Sequence, residues 1–182
     1  MIFSPLTYRI LFLALLVSLG AFNTACRKVP KFSDVPNIQY KNIRKQTFYN
    51  AAQSSPTDSL FADSVIIGLH FEDGNGDLGY QDSDLSSAPV DFFVDVYRQT
   101  NGIFSPAIFQ DSTLTYNGHI PLLAPVSSPG PIEGDLFYAM TFNYSTSQLH
   151  NDTLKFVVKL KDRAGNMSNS IETDPVIIRQ GP

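Results

Sequence analysis

The chain has 182 residues, with 17 Asp and Glu against 13 Lys and Arg, a formal net charge of −4 and one cysteine. Its basic residues cluster only at 27–31 and 41–45, which excludes the extended positive surface that nucleic-acid binding needs. One cysteine excludes a disulfide-built core, so 14 Phe, 8 Tyr and many Val, Ile and Leu must supply the core by apolar burial.

Residues 1–25 carry one basic residue, Arg9, and no acid. The apolar run ILFLALLVSLGAF (10–22) is shorter than the roughly twenty residues of a membrane-spanning helix, so residues 1–25 are expected to be a secretory signal peptide. Thr24-Ala25-Cys26 resembles the small-small-Cys end of a bacterial lipoprotein lipobox, with Asn23 where an aliphatic residue is usual. The resemblance implies cleavage before Cys26, acylation of that cysteine and a stable lipid anchor, because several acyl chains hold where one does not. Arg27 and Lys28 follow, in place of the aspartate that retains enteric lipoproteins at the inner membrane. By resemblance the outer membrane is the destination, with the domain facing periplasm or cell surface. Without Arg9 the mature chain sets 17 acids against twelve basic residues, a formal charge of about −5.

Residues 26–37, with two prolines, read as the lipidated cysteine and its tether, and 38–182 as one domain. No helical period runs through that domain. The segments 38–49, 59–73, 90–100, 113–123, 134–145, 153–163 and 169–180 read as strands, separated by Gly, Pro, Asn, Asp and Ser. Val65, Ile67, Leu69 and Phe71 alternate on one face of the second. Phe92, Val94 and Val96 oppose Phe93, Asp95 and Tyr97 in the third, and Leu154, Phe156, Val158 and Leu160 share a face in the sixth. Asn117-Gly118 interrupts the fourth, and Pro175 marks the last as an edge strand. About seven short strands without helices predict an all-β antiparallel sandwich.

The stretch 154–169, LKFVVKLKDRAGNMSN, is similar to the final hairpin of bacterial immunoglobulin-like and fibronectin type III-like domains, where a strand ends in D-x-A-G-N-x-S and returns as the last strand. FEDGNGDLG after a strand resembles a feature of small lipoproteins with such domains. The resemblance implies the fold; it says less about function.

FEDGNGDLGYQDSD (71–84) holds five carboxylates, Glu72, Asp73, Asp77, Asp82 and Asp84, with no Lys or Arg among them. Asp73, Asn75 and Asp77 stand at positions 1, 3 and 5 of an EF-hand-like pattern, and Asp84 falls at position 12. Position 6 is Leu78 instead of glycine, and no helices flank the loop, so a true EF-hand is not expected. Two readings of these residues stand. A calcium loop on a β scaffold uses the alternating oxygens, with Gly74, Gly76 and Gly79 turning carbonyls inward; a plain polar turn uses the same glycines for its bend. Topology bears on the choice. If the strand ending at Phe71 and the final strand pair are laid out as in an immunoglobulin-like sandwich, their loops share one pole, bringing Asp162 and Asn166 near the acidic loop. Asp162 would then serve as a metal ligand, or cap its own turn, with Gly165 at positive φ.

His70, His119 and His150 lie in three separate segments without metal-ligand spacing, and His70 is expected to be an ordinary strand histidine. GxSxG, P-loop and CxxC patterns are absent, the glycine spacing of GNGDLG (74–79) lies among carboxylates that would repel phosphate, and without tryptophan as a sugar platform the pair Asp82/Asp84 does not suggest a glycosidase. Asp58-Ser59-Leu60, Asp63-Ser64-Val65 and Asp152-Thr153-Leu154, with Asp111-Ser112-Thr113 close to them, resemble an O-glycosylation acceptor of exported proteins; turn chemistry at strand entry is the preferred reading. Residues 124–135 form a long loop, and Phe104, Phe109 and Tyr116 are expected in the core. Taken together these residues predict a non-catalytic envelope lipoprotein, a binding or structural module with a protein or glycan partner. The competing class is a carbohydrate- or substrate-capture lipoprotein accessory to an outer-membrane transporter.

Overall fold

The apolar alternation around Val65–Phe71 places its segment at the centre of a sheet, with both backbone edges paired. The computed structural model describes residues 30–49, 61–109, 114–143 and 152–178, which form eight strands and no helix. These are β1 (Asn37–Tyr49), β2 (Phe61–Asp73), β3 (Phe92–Thr100), β4 (Ile103–Pro106), β5 (Ile132–Asn143), β6 (Asp152–Leu160), β7 (Ile171–Glu172) and β8 (Val176–Ile178). The expected signal peptide 1–25, Cys26, residues 27–29 of the tether, and the Asp58 and Asp111 motifs lie outside the described residues.

One sheet runs β1-β2-β5, and the other runs β4-β3-β6-β7 with β8 also on β6; every pairing within both is antiparallel. The chain is therefore all-β, two sheets packed as a sandwich. Period-two alternation puts Val65, Ile67 and Leu69 fully inside, facing Phe92, Phe156, Val158 and Leu160 of the second sheet in one apolar cluster. Phe92 of β3 stacks on Tyr138 of β5 with ring centroids 3.9 Å apart and so joins the two layers, and Tyr116, outside both sheets, stacks on Phe142 at 4.5 Å.

One expectation needs correction. The segment 113–123 is not a strand over its described part, 114–123. It forms no ladder with either sheet, because Asn117-Gly118 and Pro121 break one; Gly118 makes an isolated bridge to Phe92, Pro121 one to Tyr80 of the acidic loop, and the Asn117 Oδ1 accepts from the Val94 N–H at 2.8 Å. A strand instead occupies 103–106, after a tight hairpin whose Asn101 and Gly102 both have positive φ, 52° and 82°. That Asn-Gly pair is the signature of a two-residue hairpin turn, and it was the signal for β4.

The final segment lies at a sheet edge as Pro175 implies, but it is split into two short strands instead of one. β7 and β8 pair with the same edge of β6, and between them the Thr173 hydroxyl replaces a ladder carbonyl by accepting from the Phe156 N–H at 3.1 Å. Just before β7, Asn169 reaches across to β1: its Oδ1 accepts from the Ile38 N–H at 2.7 Å and its Nδ2 donates to the Ile38 carbonyl at 2.8 Å. One side chain thus copies a strand pairing and ties the first strand to the segment leading into β7. Asn169→Ala leaves both Ile38 groups without these partners and is expected to cost about 1–3 kcal/mol. The check is a lower urea midpoint at unchanged m-value.

Candidate metal centre

The acidic run does not stay together. Strand alternation and one buried leucine send its five carboxylates to three places. Asp73 continues the inner face of β2 and is completely buried. Glu72 points to the opposite, solvent face. Asp82 and Asp84 lie in an exposed turn, where Asp84 accepts from the Ser83 hydroxyl and its carbonyl from the Ser87 and Ala88 amides.

Leu78 explains the failure of the EF-hand pattern. It is fully buried in the core cluster and pins the loop to the sandwich, where an EF-hand needs a glycine to turn sharply. The loop bends at Gly76 and Gly79, with φ of 69° and 81°, a conformation that side chains resist. Gly74 has another use: its N–H donates to the Ser33 carbonyl at 2.8 Å, so close that a Cβ would strike that backbone.

Across the pole, the turn after β6 meets this loop. The Arg163 and Ala164 amides donate to the Asp77 carbonyl and to Asp77 Oδ2, at 3.2 and 3.0 Å. The Arg163 guanidinium donates to the Gly79 carbonyl at 2.6 Å. The structure therefore brings the D-x-A-G-N turn to the acidic loop. It also shows that carbonyls expected to turn toward an ion are taken: Asp77 and Gly79 by Arg163, Asn75 by the Gly130 amide at 3.3 Å. Asn75 Oδ1 accepts from the Asp77 N–H at 3.3 Å, inside its own loop.

Three carboxylates remain. One oxygen from each of Asp73, Asp77 and Asp162 lies within 4.8 Å of the others, and Asp162 is 2% exposed. Asp73 Oδ2 accepts from the Asp77 N–H at 2.9 Å, and Asp162 accepts from the Asn166 amide and side chain at 2.6 and 2.8 Å. Asp162 therefore does cap its turn, with Gly165 at φ 95°, yet each of its oxygens keeps a second lone pair. Asp73 Oδ1 and Asp77 Oδ1 are buried and have no hydrogen-bond partner. Burial pushes the Asp73 carboxyl up to about 6, with the neighbouring Asp77 and Asp162 charges adding to the rise. Burial first, then Asp162, also raises Asp77, and the Ala164 amide and Arg163 charge pull the other way.

The far end of the same strand supplies a control. Asp63 is equally buried on the inner face of β2, but it holds Lys45 at 3.0 Å and the Thr47 hydroxyl at 2.6 Å. A buried carboxylate requires such compensation. At the Asp73 end other carboxylates stand where Lys45 stands at the Asp63 end, so this acidic group could hold a metal ion. Asp63-Ser64 lies within β2 and not at its entry, while Asp152 opens β6 as strand-entry chemistry expects.

A third buried acid at this pole, after Asp73 and Asp162, carries no sequence motif. Asp91 is 1% exposed; its Oδ1 accepts from the Ile120 N–H at 2.8 Å, its carbonyl from Lys161, and its Oδ2 has no partner. His119 Nδ1, 4.0 Å from Asp91, is also unpartnered. No protein-family model matches the chain, and no curated protein or solved structure does either.

Burial pushes Asp91 from 3.8 to about 6, against the pull of the Ile120 N–H and of His119. An acid whose folded value lies above its unfolded one binds more protons in the folded state between the two. Its contribution to stability is complete below about pH 4 and is lost as pH rises through about 6. In chelator, Asp91→Asn is expected to gain denaturation midpoint relative to wild type between pH 4 and pH 7, as read from paired urea melts.

Proposed function

We propose that this chain is an exported, lipid-anchored cell-envelope protein. Its immunoglobulin-like sandwich serves as a non-catalytic binding or structural module, and calcium at Asp73, Asp77 and Asp162 makes one pole rigid. The observation that carries the cation is the pair of buried, unpartnered oxygens, Asp73 Oδ1 and Asp77 Oδ1, beside a third carboxylate from another loop. The donor set is all oxygen, which suits a hard cation; calcium tolerates an irregular shell completed by water. Asn75, Asp82 and Asp84 are not needed for it, being turned to other bonds or to solvent.

The strand order supports the immunoglobulin-like reading: β1-β2-β5 against β4-β3-β6 with the final strands, the loops after β2 and β6 meeting at one pole. Export and lipidation rest on the apolar leader and on Cys26. The geometry favours a structural or interaction role over substrate capture. A groove of about 410 Å³ beside β3 is lined in part by Tyr97, Phe109 and Tyr116. Phe109 and Tyr116 pack against the core cluster, which leaves few aromatic faces to stack on a sugar.

Calcium that binds only the folded state stabilises it by about 2.7 kcal/mol at a hundred times its dissociation constant. Wild type is therefore expected to melt higher in millimolar calcium than in chelator, and Asp77→Asn to lose that difference; equal melting of wild type in both would overturn the calcium assignment. Membrane association is tested separately. Cys26→Ala is expected to move the protein from the detergent phase to the aqueous phase, and partition unchanged by the substitution would remove the anchor from the reading.

A further inference from the structure

On the solvent face of the same sheet, β2 and β5 bring a second, chemically different group together. His70 and Glu72 are two residues apart on β2 and so face the same way. The register sets His70 opposite Asp135 and Glu72 opposite Glu133. One ligand atom from each of His70, Glu72 and Glu133 lies within 4.8 Å of the others.

Two further features point to a cation at this place. The first is the imidazole's orientation. His70 Nδ1 is 3.0 Å from Asp135 Oδ1, and Lys41 Nζ holds the other oxygen of that carboxylate at 2.5 Å. Asp135 already accepts from Lys41 at one oxygen, so its contact with the ring through the other takes the His70 Nδ1 as donor. The Nε2 lone pair is then left for a ligand, the arrangement by which an outer carboxylate orients a metal-binding histidine. The second is charge. Glu72 and Glu133 are directly opposed like charges on neighbouring strands, a destabilising pair, and no ion pair reaches either among the described residues.

We propose that His70, Glu72 and Glu133 form a surface site for a zinc-class divalent cation, with Asp135 as the positioning residue. A nitrogen with two carboxylates suits a borderline transition metal, whereas calcium takes oxygen ligands. Three protein ligands leave a position open to water or to a donor from a partner. The site sits on two hydrogen-bonded strands and is independent of the calcium pole, since Asp73 lies on the opposite face of β2 from Glu72.

The test is zinc titration of the full mature chain, by calorimetry in millimolar calcium, with long-range nitrogen–proton NMR of the imidazoles. Wild type is expected to bind one equivalent, with the His70 Nε2 resonance moving and Nδ1 staying protonated. Asp135→Asn is expected to weaken binding about 10–100-fold and to scramble the His70 tautomer in the metal-free protein. His70→Gln, a change on an exposed sheet face, is expected to weaken it further while leaving the urea midpoint of the metal-free protein in place. Asp73→Asn should bind zinc like wild type. Zinc affinity unchanged in His70→Gln, saturation without movement of the His70 resonances, or loss of zinc binding in Asp73→Asn would each overturn the site.

Discussion

The register of β2 between β1 and β5 is the constraint on which everything else depends. Side chains on a strand alternate with a period of two, so a slip of one residue would exchange the two faces of β2 completely. Val65, Ile67, Leu69 and Phe71 oppose that slip, because all four would leave the core. The same register decides the fate of the polar residues at the strand end. Asp73 is forced inward because Phe71 is inward, and His70 and Glu72 are forced outward with it. Apolar burial thus places charges where electrostatics alone would not have put them.

The cost of that placement is visible at each end of the strand. Asp63 meets Lys45 and Thr47 of β1 and is compensated inside the sheet. Asp73 meets Asp77 of its own loop and Asp162 of the loop after β6. What holds these like charges together is a set of groups that leave the carboxylates partly unpaired: Leu78 in the core, the Arg163 guanidinium on the Gly79 carbonyl, and the Ala164 amide on Asp77. The scaffold is complete without an ion, while two carboxylate oxygens are left without a partner. A calcium ion there would join two loops already held in place, which is the role of a stiffener at a pole. On the outer face, a proposed zinc-class site would draw on the same strand end through the residues of opposite parity.

Much of the strand layout was legible in the residues. The alternation of β2 and β6 named their apolar faces, that of β3 separated its two faces, and Pro175 marked the last segment as an edge. The convergence of Asp73, Asp77 and Asp162 followed from topology plus a loop pattern. Other features left weaker traces. β4 is four residues long with one half-buried side chain, so only the Asn101-Gly102 turn marked it. The segment 114–123 had strand-like composition but forms no ladder with either sheet. Asp91, Asn169 and the pairing of Glu72 with Glu133 had no local pattern at all, because each depends on residues from 29 to 131 positions away.

The sequence by itself determined that this chain is all-β, which faces of β2 and β6 are apolar, and that five acids concentrate in one short loop. Those properties are periodic or compositional, and a period of two needs no partner to be read. Only the tertiary structure decided how the five carboxylates of that loop divide. Burial of Leu78 and the parity of β2 send Asp73 and Asp77 to Asp162, Glu72 to His70 and Glu133, and leave Asp82 and Asp84 in water. A charge's neighbours are set by the packing of distant apolar residues, so they emerge only when both sheets are in place.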